Sequence, residues 1–470
     1  MSSDEPSAES GGVAAVILAA GLGTRMRSRT PKELHPVCGR PILEHVIRAA
    51  ETTNPSQIII VLSPAKAAIA ESLPINCIVA WQKEPLGTGH AAAQALPLLN
   101  PEIDRVTILF GDHPLLSGDA VRDLVDASRR SSARITLLTA VLPDAGAYGR
   151  LVRADDRIVE IVEAKEDHRT YTGPVEINSG ISCYDRRWLE DHLNDVPRSS
   201  MGEFYLTSLV EMAAQESTAG HPVISVIASP ETAYGVNDRV ELANAETLMR
   251  RRTNDRFMRS GVTIVDPAST FIDDTVIIEQ DARIEPFTTI RGASSVGEST
   301  VVGPHTSIYD SSIGRHCTIL ASTLESSEVG DRVHVGPYSH FRSGTRVEAG
   351  AHIGNYVEVK NSTIGEGTHA GHFSYVGDAH VGKHVNIGAG TITANFDGVN
   401  KHETIIHDGA FIGSDTILRA PVTVGEAGRT GAGSVVTRDV APGSTVVGLP
   451  ARPIASKHAA KDRKREETQH

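Results

Sequence analysis

Directly after the apolar run Val13–Ala20, the chain reads Gly-Leu-Gly-Thr-Arg-Met-Arg-Ser-Arg-Thr-Pro-Lys over residues 21–32. Glycines there expose backbone N–H groups, a following helix start adds a positive dipole, and Arg25 and Lys32 add formal charge, a combination suited to phosphate oxygens. The run is not a dinucleotide fingerprint, because Met26 stands at the third glycine position, and it is not a Walker A loop. Asp112 closes another apolar run inside Phe-Gly-Asp-His-Pro-Leu-Leu. An Asp at such a place is either a helix cap or a ligand of magnesium, which takes one or two protein carboxylates and completes its shell with phosphate and water. The chemistry these residues suit is transfer at a nucleotide phosphate, where cations neutralise charge and hold the reactants in line.

A second constellation lies far downstream, in Gly-Asn-Tyr-Val-Glu-Val-Lys-Asn (354–361), His-Ala-Gly-His-Phe-Ser-Tyr-Val-Gly-Asp (369–378), Val-Asn-Ile-Gly-Ala-Gly-Thr-Ile (385–392) and Ala-Asn-Phe-Asp-Gly-Val-Asn-Lys (394–401). An amine attacks a thioester well only when deprotonated, so a base titrating near neutral pH is useful, and His is the natural one. The chain has 20 His, so a bare His carries little weight. His372 is set apart by Tyr375 close after it and by Asn-Ile-Gly-Ala-Gly soon beyond. No His or Cys spacing offers a zinc site.

The elements that must carry these residues differ between the two regions. In the downstream region aliphatic residues fall every six positions, at Ile278, Ile284, Ile290, Val296, Val302 and Ile308, again from Val329 to Val359, and once more at Ile412, Leu418 and Val424. Neither helix nor ordinary strand has that period. A triangular coil does: three short strands make a turn, each aims one aliphatic side chain at the axis, and small or polar residues turn the corners. Five-residue steps, as from Ile308 to Ile313, read as single deletions at corners, and the step is lost between Ile387 and Ile412, where a polar insert intervenes. Upstream, strand patterns (13–20, 57–63, 105–112) alternate with helical ones (41–50, 89–99), which predicts an α/β domain with a mostly parallel sheet and ligands beyond the carboxyl ends of the strands. Between the regions, residues 237–259 have helix formers and few breakers; Arg250, Arg251 and Arg252 read as a solvated face.

The boundaries expected are a loose tail at 1–12, a nucleotidyltransferase domain at 13–236, a helical linker at 237–261, a hexapeptide-repeat domain at 262–454 and a charged tail at 455–470. A net charge of −13 argues against a nucleic-acid surface. Aromatic content of 4% with 42 Gly suits a coil of small turns. Four unpaired Cys and the shortness of the apolar run at 13–20 point to a reducing, cytoplasmic setting without a membrane span.

The motifs recur in a recognisable order: Ile-Leu-Ala-Ala-Gly-Leu-Gly-Thr-Arg-Met, Pro-Lys-Glu-Leu-His, Gln-Lys-Glu-Pro-Leu-Gly-Thr-Gly-His-Ala, Gly-Asp-His-Pro-Leu-Leu, Tyr-Gly-Arg-Leu, Glu-Ile-Val-Glu-Ala-Lys-Glu, Ile-Asn-Ser-Gly-Ile, Glu-Phe-Tyr-Leu-Thr and Gly-Val-Asn-Asp-Arg. The first part resembles the sugar-1-phosphate nucleotidyltransferases. The whole chain, over about residues 13–448, resembles the bacterial family joining N-acetylglucosamine-1-phosphate uridyltransferase to glucosamine-1-phosphate acetyltransferase.

The resemblance implies a Rossmann-like α/β domain followed by a left-handed parallel β-helix, and it implies roles. Leu18, Ala19, Ala20 and Gly21 touch the uridine nucleotide; Arg25 and Lys32 grip phosphates; Gln82, Gly87 and Thr88 read uracil; Gly149, Glu163 and Asn178 hold the sugar; Asp112 and Asn237 bind Mg2+. In the coil, His372 is the base, Arg342, Lys360, Tyr375 and Asn386 hold the acetyl acceptor, and Ala389, Asn395, Phe396, Ser414 and Ala432 contact acetyl-CoA. Substrates are glucosamine 1-phosphate, acetyl-CoA and UTP, and relatives form homotrimers in which neighbouring coils share each acetyl site. Three departures stand out: Ser208 where the family has Asp, Phe396 for a common Tyr, and Leu449 where some relatives place an Arg, a role Arg452 could take over. Two other readings remain open on the sequence: a monofunctional nucleotidyltransferase with a structural or regulatory coil, and a binding scaffold with both sites dead. The grouping of His372, Tyr375, Asn386 and the Lys401 insert argues against the first, and intact Lys32, Asp112, Asn237 and His372 against the second.

Overall fold

The structure, a computed structural model, describes residues 11–164, 167, 169, 173–216 and 220–454. Most of the tail expected at 1–12, all of that at 455–470, and Lys165 and Glu166 of one motif lie outside the described residues. The chain divides into two compact units, Met1–Met249 and Arg250–His470.

The first unit is built on a mixed sheet. Its strands run Val223–Ile227, Ile135–Leu142, Val175–Asp185, Ile103–Phe110, Gly12–Leu18, Gln57–Leu62 and Cys77–Trp81 across the sheet, and Arg150–Ala154 with Arg157–Val162 extends from Val175–Asp185. Gly12–Leu18 pairs in parallel with both neighbours, so Leu18 lies beside Val61 and Phe110. Only Val175–Asp185 runs against its neighbours in the main path. The two central strands are buried almost throughout, which is why they read as unbroken aliphatic runs. The helix expected over 89–99 is shorter: Thr88–Ala93 is α-helical, and Leu96–Leu98 tightens into a 3-10 turn at Pro97, which cannot donate to the preceding turn.

The connecting helix is Arg239–Arg259, and the division between the units falls inside it. The expectation of three solvated arginines is corrected at Arg250, whose guanidinium sits 4.3 Å from the centre of the Phe271 ring.

The second unit is a coil of three sheets whose parallel strands follow one another in rotation, until Arg452–Ile454 folds back antiparallel on Thr445–Val447. Ile278, Ile284, Ile290, Val296 and their successors form one continuous buried stack, each residue contributing about 1.5–3 kcal/mol by leaving water. The shortened corners share a conformation. Asp310, Ser326, Asn361 and Asp378 close five-residue steps between the second and third sheets with φ between 43° and 49°, and small polar side chains tolerate that left-handed region best.

The expected break in the period is also corrected. The step continues to Thr393, 1% exposed and in register with Leu418, and resumes at Ile406. The insert is residues 395–403, between the strands Ile392–Ala394 and Thr404–Ile406. Thr393 was invisible to an aliphatic search, yet it fits the axis because its hydroxyl accepts from Gly377 N at 2.8 Å and donates to Gly377 O at 2.9 Å.

Glycines at one corner allow successive coils to stack closely. A Cβ on Gly354 would lie 1.9 Å from the Gly371 carbonyl oxygen, whereas one on Gly371 would meet nothing within 4 Å. Gly354→Ala should therefore destabilise the coil by about 1–3 kcal/mol, while Gly371→Ala stays within about 0.5 kcal/mol, as read from chemical denaturation of the two variants. Equal effects would show that corner spacing is not what the glycine secures.

Candidate active sites

In the first unit the loops at the carboxyl ends of the parallel strands surround a cleft of about 450 Å³, lined among others by Leu18–Gly21, Arg25, Lys32, Gln82, Gly87, Thr88, Asp112 and Asn237. A cavity of about 940 Å³ shares Arg25, Thr88, Asp112 and Asn237 with it and adds Gly149, Glu163 and Asn178. Every residue assigned to this site from the sequence thus lines one of two adjoining hollows.

At their junction the Lys32 ammonium lies 2.6 Å from Asp112 Oδ2 and 3.2 Å from Asn237 Oδ1. Two hard oxygen donors converging on a cation position are what Mg2+ requires; Lys32 fills that position here. The other Asp112 oxygen, Oδ1, is 2.8 Å from His113 Nδ1. Burial alone would raise the Asp112 carboxyl, but His113 and Lys32 outweigh it and hold the group well below the usual carboxylate range, so it stays ionised. Asn237 is itself held by its backbone N–H, which donates to Glu241 Oε2 at 2.6 Å.

The segment from Leu86 to Gly89 is clamped by the Glu-Phe-Tyr-Leu-Thr motif. Gly89 N donates to Phe204 O at 2.8 Å, Phe204 N to Leu86 O at 2.8 Å, and Leu206 N to Thr88 Oγ1 at 3.0 Å. Gly87 has φ 104°, and a Cβ there would lie 2.6 Å from Phe204 O, so only glycine fits. Gln82 Nε2 donates to Gly87 O at 3.1 Å, which orients the amide toward the cleft. In the larger cavity Thr207 Oγ1 donates to Glu163 Oε1 at 3.0 Å, and Asn178 N to Gly149 O at 2.9 Å. Ser208, the departure from the family, begins the helix Ser208–Glu216 and is not among the lining residues.

The sequence reading missed His113, Glu33 and Lys66. Glu33 and Lys66 form a buried ion pair of 2.6 Å, and Lys66 also donates to Ala19 O at 2.8 Å. Adjacency to Asp112 and Lys32 was the available signal for His113 and Glu33; nothing in sequence points to Lys66.

In the coil, register stacks the assigned residues in two columns. Gly-His372-Phe, Gly-Ala389-Gly, Gly-Ser414-Asp and Gly-Ala432-Gly are successive turns of one corner, tied by Asp415 N to Ala389 O at 2.6 Å and Gly433 N to Ser414 O at 2.8 Å. On the next face Arg342 is in register with Lys360, and Lys360 with Gly377. Gly377 leaves room for Tyr375, since a Cβ there would lie 2.3 Å from its hydroxyl oxygen. His372 is exposed at its corner, near enough to His352 to help lower that imidazole, after burial and His334 and His369. Arg342 donates to Glu358 Oε1 at 3.1 Å. Asn386 lies beside His369 on the strand before the corner.

At the far end of the face the insert meets the coil. Asp378 accepts from Asn361 Nδ2 at 2.7 Å through Oδ1 and from Asn395 Nδ2 through Oδ2, so one carboxylate ties three consecutive turns. Asn395 Nδ2 is also 3.4 Å from the Tyr375 hydroxyl. Phe396 bridges to Lys401 and is 60% exposed; Leu449 is exposed too, and Arg452 donates to the Ala451 carbonyl at 3.4 Å. Lys401 stands against Lys360, first through direct side-chain contact and then through charge, which lowers its ammonium. Like charges this close to each other, beside Tyr375, repel until an anion lies between them. Asp378 and the pairing of Lys401 with Lys360 were not read from sequence.

A cleft lined by glycine loops and cations at the strand ends, and a hexapeptide coil with His, Lys and Tyr grouped along one corner, suit a two-unit transferase. Residues 15–236 match the family of MobA-like NTP transferase domains. The chain is 42% identical to the bifunctional protein GlmU of Heliobacterium modesticaldum over 92% of its own length and 94% of that protein. It is 43% identical to GlmU of Brevibacillus brevis over 91% and 92% of the two chains, and 43% identical to GlmU of Streptomyces avermitilis over 92% and 91%. The chain belongs to the family of bifunctional GlmU proteins. No helix among the described residues is long and apolar enough to cross a membrane.

The lysine pair makes a titration prediction. Removing the Lys360 charge removes what disfavours the Lys401 ammonium, so Lys360→Gln should raise the Lys401 pKa toward the ordinary 10.5, as followed by NMR at its Cε. An unmoved titration would mean that the two side chains do not face each other in solution.

Proposed function

We propose that the chain makes UDP-N-acetylglucosamine by two transfers in sequence. Glucosamine 1-phosphate is acetylated by acetyl-CoA at the coil. The resulting N-acetylglucosamine 1-phosphate then receives UMP from UTP at the sheet domain, releasing pyrophosphate. The convergence of Lys32, Asp112 and Asn237 where the cleft at the strand ends adjoins a larger cavity carries the uridylyl-transfer half of this reading.

In the uridylyl transfer a phosphate oxygen of the sugar phosphate attacks the α-phosphorus of UTP, and the bond to pyrophosphate breaks. The nucleophile is already an anion, so the site needs no general base. Leu18–Gly21 cradle the nucleotide, Gln82 with Gly87 and Thr88 read the uracil, and Gly149, Glu163 and Asn178 fix the sugar in the adjoining cavity. Arg25, exposed at the rim of both hollows, and Lys32 offset the charge of the phosphates. Mg2+ held by Asp112 and Asn237 would add charge neutralisation at the same phosphates.

In the acetyl transfer the amine nitrogen attacks the thioester carbonyl, His372 takes the amine proton, and coenzyme A leaves as the thiol. Arg342, Lys360, Tyr375 and Asn386 hold the acceptor, with Lys401 added beside Lys360. Ala389, Asn395, Phe396, Ser414 and Ala432 contact the coenzyme, and a backbone N–H near Ala389 would stabilise the oxyanion. A homotrimer in the cytoplasm belongs to the same proposal. The exposed aromatic strip of Tyr338, Tyr356 and Phe373, 60%, 59% and 57% open at the His372 corner, supports it as a face for a neighbouring coil.

Incubation with glucosamine 1-phosphate, acetyl-CoA, UTP and magnesium should give a product of UDP-N-acetylglucosamine mass, and omitting acetyl-CoA should abolish it. His372→Ala should remove acetyl transfer by about a hundredfold or more while sparing uridylyl transfer from supplied N-acetylglucosamine 1-phosphate. Asp112→Ala should do the reverse and blunt the magnesium dependence. Equal loss of both rates in either variant would contradict two separate sites.

A further inference from the structure

Three loops of the sheet domain meet at one buried ammonium. Lys66 closes the 3-10 turn Pro64–Lys66 that follows the strand Gln57–Leu62. Its Nζ donates to Glu33 Oε1 at 2.6 Å, on the turn Lys32–Leu34, and to Ala19 O at 2.8 Å, in the turn after the first strand. Both side chains are almost wholly withdrawn from water, at 5% and 2% exposure. Ala19 and Glu33 line the nucleotide cleft, and Lys32 precedes Glu33 directly.

The pair is a poor way to gain stability. Burial of two charges costs more than a single contact returns unless every lone pair is satisfied. Among the described residues, Glu33 Oε2 is buried and finds no hydrogen-bond partner. Burial is also the leading influence on Lys66 and lowers its pKa, against the pull of Glu33. An arrangement that stabilises so little but joins the cleft's loops asks for another reason.

We propose that the Lys66–Glu33 pair is a positioning device for the nucleotide: it fixes the Ala19 carbonyl and the Lys32–Glu33 turn relative to each other, and so sets the spacing between the part of the cleft that cradles the nucleoside triphosphate and the lysine that grips its phosphates. Lys66 touches Ala19 and Glu33 and acts through them. Without the ammonium, Ala19 O loses its donor, the turn relaxes, and Lys32 no longer meets the phosphates in the productive geometry. The loss then falls chiefly on the grip on the triphosphate. The inference rests on the uridylyl-transfer reading of this cleft.

The test uses the full chain and three variants, Lys66→Met, Lys66→Arg and the double variant Glu33→Met/Lys66→Met. Lys66→Met should raise the KM for UTP roughly tenfold or more, with kcat changed less, and weaken UTP binding by calorimetry in parallel. Lys66→Arg, which keeps a cation and a donor, should recover part of that loss. The double variant removes both charges, so its unfolding midpoint should match or exceed the native one, yet its KM and its affinity for UTP should stay impaired. Acetyl transfer by the same samples should be unchanged. A double variant that regains native UTP affinity together with native stability would overturn the proposal, because the pair would then be mere filling. A double variant that fails to fold also counts against it, by making the pair a requirement of the fold. Absence of uridylyl transfer in the unaltered chain would instead refute the reading of the cleft.

Discussion

Parallel strand pairing is the constraint from which both units follow. In a parallel sheet every strand ends on the same edge, so the loops after Leu18, Leu62, Trp81 and Phe110 open side by side. Ala19, Lys66, Gln82 and Asp112 come from well-separated stretches of chain and meet because of it. In the coil the same pairing, with one turn per repeat, lays each residue over its counterpart in the next turn. A corner position then becomes a column, and His372, Ala389, Ser414 and Ala432 share one although the sequence separates them. Parallel pairing thus concentrates function on a line in one unit and along an edge in the other.

Charge compensation decides the rest of the sheet domain. Lys32 and Asp112 satisfy each other in a cleft that is only partly wet, with side-chain exposures of 9% and 20%. Asp112 keeps its charge against the effect of burial because His113 and Lys32 face it. In the proposed transfer, substrate phosphates and a metal ion would replace these partners one for one, the phosphates bringing anionic oxygen to Lys32 and the metal positive charge to Asp112. The arrangement is therefore charged before any ligand arrives, and binding exchanges partners instead of creating buried charge. Lys66 and Glu33 lie behind this exchange, farther from solvent, where no ligand replaces either partner.

The acetyl edge uses a different balance. Lys360 and Lys401 are like charges brought together, which is unfavourable until an anion lies between them. Asp378 sits near enough to moderate that repulsion, but both its oxygens are engaged by Asn361 and Asn395, so it does not neutralise the pair directly. Its carboxyl is held low by those two amides and by the lysines, against the opposing effect of burial, which is the largest single influence. The insert 395–403 matters because it delivers Asn395 and Lys401 together to this corner.

Much of this was legible in the residues alone. The six-residue period required a coil, because only a triangular turn returns an aliphatic side chain to an axis at that spacing. The apolar runs with acids and glycines at their ends required a parallel sheet with a phosphate-binding edge. Local composition determines these features, and periodicity reports it. What the sequence could not give were the meetings of residues remote along the chain. Lys66 looks like any helix-start lysine, yet it is buried against Glu33 and Ala19. Thr393 interrupts the aliphatic pattern, yet it points to the axis because Gly377 satisfies its hydroxyl. Arg250 belongs to a run of charge, yet it lies on Phe271. Side-chain periodicity is a one-dimensional signal, whereas the burial of a polar group depends on a partner supplied from elsewhere in the chain, and only the tertiary structure chooses that partner.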